Sequence, residues 1–136
     1  MSASVKEFLQ NGRNLHFEIK KLKQLQQKKL DEATAHGIDY SKARASQSFG
    51  NSVETKYMEY ADFSSMLEQR IYELEDYRAR MLMLINSYPD STGRRLLLMR
   101  YIECLSWEKI SEELSYDVRW VQRLHGKILV KLQNRP

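Results

Sequence analysis

The chain holds one cysteine, two prolines and five glycines among 136 residues. A lone thiol, Cys104, rules out an internal disulfide and points to a reducing compartment. Its neighbours are apolar, so it reads as a buried helical thiol rather than a reactive one. So little Pro and Gly excludes collagen-like and proline-rich disordered classes. No uncharged apolar run approaches the roughly 20 residues needed to cross a bilayer. The opening MSASVKEFLQNGRN has no apolar signal core, so export is not expected. Catalytic signatures are missing as well. There is no phosphate-cradling glycine loop, no CxxC, no HExxH, and no Ser or Cys nucleophile with a base near it in sequence. His16 and His36 have no ligand spacing. No enzyme, metal site or cofactor is expected.

What is present favours long soluble helices: 42% of residues are hydrophobic and 29% charged. The net charge of +4 is modest but unevenly placed. From Asp90 onward there are 9 Lys/Arg against 6 Asp/Glu, so most of the excess lies in the last third. Such polarity lets one surface face a phosphate backbone.

Residues 4–35 are helix formers, with Phe8, Leu15 and Leu22 seven apart, flanked by Val5, Ile19, Leu25 and Leu30. Lys20, Lys21, Lys23, Lys28 and Lys29 cover the opposite side. The stretch 36–51, with Gly37, Gly50 and scattered Ser, reads as a connector. The next segment is the most regular. Val53, Tyr57, Tyr60, Ser64, Leu67, Ile71, Leu74, Arg78, Met81, Ile85 and Tyr88 alternate spacings of four and three, the mark of a heptad seam. Asn51 with Glu54 can cap its start, and Pro89 ends it. A helix over 52–88 is roughly 55 Å long and cannot stand alone in water. Its partner is either the first helix folded back as a hairpin or a second copy of the chain in a homodimer. The seam leaves both open. Ser64 and Arg78 interrupt it, as polar residues that set register or oligomer state do.

Beyond Pro89, Asp90 or Ser91 can start a helix over 91–104, with Leu97, Tyr101 and Leu105 facing the next pair of helices. Ser106 caps a short helix, 107–114, carrying Trp107, Ile110 and Leu114 at spacings of three and four. Asp117 caps a last helix, 118–133, whose apolar side is Val121, Leu124, Ile128 and Leu132. Two helices joined so tightly cross steeply and share a small core. The outward side then carries Arg119, Arg123, Lys127, Lys131 and Arg135, and no acidic residue comes after Asp117. The expected protein is all-α: a long helical hairpin or coiled coil over 1–88, then a helix-turn-helix DNA-binding domain over 89–136. Trp120 either stacks on the DNA backbone or closes the core beside Trp107. His125 reads as a surface imidazole. Gly126, costly in a helix by about 1 kcal/mol, either permits a close approach or is simply tolerated.

The run LLMRYIECLSWEKISEELSYDVRWVQRLHGKILVKL resembles region 4 of sigma-70-type factors, with Ile110, Leu114, Val121, Leu124, Leu129 and Leu132 in its apolar positions. SWEKISEEL, RLHGKIL and the upstream helix–connector–helix are similar to small phage-encoded late-transcription regulators of the RinA/ArpU-like group. Ser115 stands where the motif usually has Gly, and Ser111 where it usually has Ala. The resemblance implies a phage or prophage transcription activator that binds double-stranded DNA and acts with host RNA polymerase in the bacterial cytoplasm. It places Val118, Arg119, Gln122 and Arg123 at base edges. In such a reader Arg119 and Arg123 suit guanine, Gln122 adenine, and Val118 a thymine methyl. Lys127, Lys131 and Lys109 suit phosphate, as do Arg94 and Arg95. The competing reading is a helical phage assembly or adaptor protein, such as a small terminase-like DNA-packaging subunit.

Overall fold

The computed structural model describes the backbone of residues 4–38 and 47–135, and side chains over 4–34 and 52–135. Among the described residues the protein is all-helical, with no strand. Helix α1 spans Val5–Ile38 and α2 spans Gln47–Asn86. Helix α3, Ser91–Leu97, runs on into a π-helical segment, Leu98–Ile102. Helices α4, Trp107–Leu114, and α5, Val118–Gln133, come next with a three-residue join. No helix among the described residues is long and apolar enough to cross a membrane.

The expected connector at 36–51 is shorter than its composition suggests, because helix continues to Ile38 and resumes at Gln47. Gly37 and Gly50 therefore lie inside helices. Extending a formed helix past one glycine costs far less than starting a new one. Asn51, expected as a cap, is likewise interior to α2. The rest of the connector, 39–46, lies outside the described residues.

The chain packs as two compact units, Met1–His16 with Leu74–Pro136, and Phe17–Glu73. Pro89, expected between domains, thus falls inside the first unit.

In the second unit α1 and α2 run antiparallel. Glu18 pairs with Arg70 at 3.4 Å, Gln26 Nε2 donates to Ser64 Oγ at 2.9 Å, and Lys29 sits 5.6 Å from the Phe63 ring. Ile19, Ala33 and Leu67 are buried. Leu25, expected beside the seam, is 48% exposed.

In the first unit the start of α1 lies on the end of α2. Phe8 stacks on Tyr77, whose hydroxyl donates to the Phe8 carbonyl at 2.6 Å. Gly12 meets Met81 and Tyr77 so closely that a side chain there would collide with the Met81 thioether. Arg78 Nη2 donates to His16 Nδ1 at 2.9 Å. The α2 seam read from the sequence does face inward here, with Leu74, Met81, Ile85 and Tyr88 buried. The α1 seam is not the Phe8–Leu15–Leu22 row: Leu9 is completely buried, while those three are only partly so.

A single apolar core joins Leu9, Met81, Ile85 and Tyr88 to Leu96, Leu97, Ile110, Val121 and Ile128. Full burial of each aliphatic side chain contributes roughly 1.5–3 kcal/mol. Asp90 caps α3 by accepting from the Gly93 amide at 2.9 Å. Gly93 lets that helix rest directly on the Tyr88 ring, where any Cβ would clash. Where α-helix was expected through 104, the wider π turn keeps Leu97, Met99 and Tyr101 buried together. It ends when Leu105 N–H reaches the Met99 carbonyl at 2.8 Å, with Cys104 left-handed at φ 60°. Cys104 is buried as expected but lies past the helix, and burial raises its thiol pKa.

Candidate nucleic-acid interface

Helices α4 and α5 begin where their capping residues dictate. Ser106 Oγ accepts from the Lys109 amide at 3.2 Å. Asp117 Oδ1 accepts from the Arg119 and Trp120 amides at 2.7 and 3.3 Å. A carboxylate there also suits the positive end of the helix dipole. Between the two helices Ser115 adopts φ 60°, ψ 38°, and the Tyr116 amide reaches back to the Ser111 carbonyl at 3.2 Å. That is a Schellman ending with serine in the position glycine usually takes. The Ser111 hydroxyl donates to the Tyr116 carbonyl, a bond that alanine could not make.

The shared core of α4 and α5 is Ile110, Leu114, Val121, Ile128, Leu129 and Leu132, with Trp107 and Leu124 partly buried against it. Burying that side of α5 turns the other one out. Arg119, Gln122, Arg123, Lys127 and Lys131 are all exposed. Among the described residues, none of these five side chains makes a hydrogen bond or ion pair within the protein. Val118 is half-buried at the first turn.

The other expected contacts are differently engaged. Lys109 pairs with Glu112 at 3.5 Å. Arg94 is half-buried and donates to the Tyr88 and Pro89 carbonyls at 2.7 and 2.8 Å, so it ties down the link between α2 and α3 rather than facing outward. Arg135 donates to Ser87 Oγ at 2.8 Å. Arg95 is exposed.

Trp120 does not close the core beside Trp107. It is 36% exposed and stacks on Tyr116, ring centroids 3.9 Å apart. Together these rings form an aromatic shelf at the start of α5, beside Arg119 and Arg123. Trp107 is occupied elsewhere, edge-on to His125 at 4.8 Å and beneath the Arg100 guanidinium at 4.1 Å.

His125 is not the surface imidazole its sequence neighbours suggest. Its Nε2 shares a hydrogen bond of 2.6 Å with the Tyr101 hydroxyl. Burial, then the nearby Arg100 and Lys6 charges, push its pKa down to about 4. It is neutral near pH 7 and anchors α5 to the π segment. Spacing along α5 gives no sign of this, because the partner is a tyrosine 24 residues earlier.

The arrangement offers a capped helix start, four cations with no counter-ion among the described residues, and an aromatic shelf, all along α5 and the turn before it. Comparison with protein-family models, with curated proteins and with solved structures finds no match to this chain.

Proposed function

We propose that this chain is a sequence-specific DNA-binding transcription regulator, with α4 and α5 acting as a helix-turn-helix and α5 as its reader. The observation that carries this reading is the outward side of α5, where Arg119, Arg123, Lys127 and Lys131 stand exposed and unneutralised. A protein keeps such a row near a phosphate backbone at little cost and gains counterion release on binding. The first turns of α5 enter the major groove, Arg119 and Arg123 donate to guanine and Gln122 addresses adenine. Lys127 and Lys131 track the phosphates, and Trp120 with Tyr116 packs beside the sugar–phosphate edge. The antiparallel α1–α2 support and the likeness of the last third to sigma region 4 favour a phage or prophage activator working with host RNA polymerase.

The test is selection of bound duplexes from a random library, then anisotropy titrations on the selected site. Arg119→Ala and Arg123→Ala are each expected to cost roughly 1–3 kcal/mol on that site. With Lys127 and Lys131 on phosphates, log affinity is expected to fall against log salt with a slope of about −2. Equal affinity of wild type and the double variant, or a flat salt titration, refutes the reading.

A further inference from the structure

We propose that the later turns of α5, with the first turn of α1, form a docking groove for a short amphipathic helix with acidic flanks on a partner protein. Along α5 the exposed stripe changes chemistry midway. Arg119, Gln122 and Arg123 give way to Gly126 and Val130, and Val130 is 59% exposed. A groove of about 510 Å³ opens there, floored by Gly126, Leu129 and Val130 and bordered by Lys6 and Gln133. A second, shallower depression shares Gly126 and Val130 and brings Arg123, Lys127 and Lys131 to its edge. No carboxylate lines either one.

Gly126 is the most telling member. A Cβ built on it meets nothing within 4 Å, so this chain's own packing does not require a glycine. It nevertheless weakens the helix that carries the reader. A bare backbone beside an exposed valine is what a closely approaching foreign helix needs. From Gly126 to Gln133 the groove runs along two turns, roughly 10 Å, enough for anchors at i, i+4 and i+7. Apolar anchors fit its floor, and the cationic rim selects acidic flanks. The inference leans on the DNA reading in one respect only: the duplex takes the first turns of α5 and, beyond them, only the Lys127 and Lys131 ammonium groups, leaving the floor at Gly126, Leu129 and Val130 open.

The probe is a synthetic 16-residue helical peptide with Leu at i, i+4 and i+7 and Glu on its other face, beside a counterpart with Lys for Glu. Each is titrated into the isotope-labelled full chain and monitored by amide shifts. The acidic peptide is expected to shift the Gly126 and Val130 amides and saturate in the micromolar range. Val130→Gln and Gly126→Gln are expected to weaken it at least tenfold, although Gly126→Gln melts no lower than wild type. Three results overturn the proposal: shifts centred on Arg119 and Gln122, equal binding of the Lys peptide, or unchanged affinity in both variants. So does self-association by light scattering that Val130→Gln abolishes, since a second copy then fills the groove. DNA affinity of Val130→Gln is measured in parallel. Docking without DNA binding retires only the DNA reading, and DNA binding without docking retires only the groove.

Discussion

Lowering the pH tests how α5 is held, through His125. Its imidazole is neutral in the fold, hydrogen-bonded to Tyr101 and crowded by Arg100, Lys6 and the Trp107 ring. In the unfolded chain it takes a proton near its ordinary value of 6.5, whereas in the fold it resists until about pH 4. The folded pKa is the depressed one, so between these values the unfolded state binds more protons and stability rises with pH. The contribution is fully present above pH 6.5 and drains away as pH falls toward 4. A displacement of that size corresponds to about 3 kcal/mol, a large part of a small protein's stability. The measurement is denaturant unfolding of wild type and His125→Gln from pH 7.5 to 4. Carboxylates titrate in both proteins, so the difference between the two profiles isolates His125. That difference is expected to change by about 3 kcal/mol across the window, with the His125 ring proton titrating near pH 4 by NMR. Parallel profiles, or a ring midpoint between 6 and 7, refute the reasoning.

Two further outcomes concern backbone and glycine positions. Ser115→Gly is expected to raise stability by about 0.5–1 kcal/mol in urea unfolding, because an L-residue at φ 60° carries a cost that glycine escapes, partly offset by glycine's freer unfolded chain. No gain at all would mean the Ser115 backbone is unstrained. The glycines on α1 and α5 are expected to respond with opposite signs to alanine. Gly126→Ala, entering open space, raises the melting temperature by about 3–5 °C. Gly12→Ala drives a methyl into the fully buried Met81 side chain, and an overpacking cost of about 1–3 kcal/mol outweighs the helix gain. Calorimetry showing the same sign for both would remove the close α1–α2 approach from the account.

The parts of the fold legible in the sequence are those decided within one or two turns. Ser106 and Asp117 stop and start helices by binding amides two and three residues away, so α4 and α5 appear at their expected bounds. The α2 seam is equally local, since its apolar residues recur often enough to mark one side. What escaped depends on distant partners. The α1 seam runs through Leu9, Gly12, His16, Ile19 and Gln26, a mixture that no apolar count picks out. Nothing in LLLMRYI marks the π turn, which arises from the need to bury Leu97, Met99 and Tyr101 in one core. Of the candidate interface, the exposed cations are a direct consequence of the amphipathic pattern of α5. The engagement of Arg94 and Arg135 is not, because the Tyr88 carbonyl and Ser87 become their neighbours only in the fold; the Lys109–Glu112 pair, three residues apart on one helix, is open to reading.

The polar interruptions of the α2 seam bear on whether its partner is α1 or a second copy. Ser64 meets Gln26, and Arg78 meets His16, each at 2.9 Å. Slipping α1 by one heptad would set Ser64 against Ile19 or Ala33, and Arg78 against Leu9 or Lys23. The first slip strands a guanidinium on a buried leucine, and the other opposes it to a like charge. Either leaves a polar group unpaired in the seam, at a cost larger than one apolar contact returns. Only the observed register gives both polar residues of α2 a polar partner, and α1 supplies it from positions that would otherwise weaken its own apolar side. That reciprocity is how a helix pair specifies one alignment among several of similar apolar content. It argues that α2 is matched to an α1 helix rather than to another α2, with the Phe8, Gly12 and His16 contacts holding the end of α2.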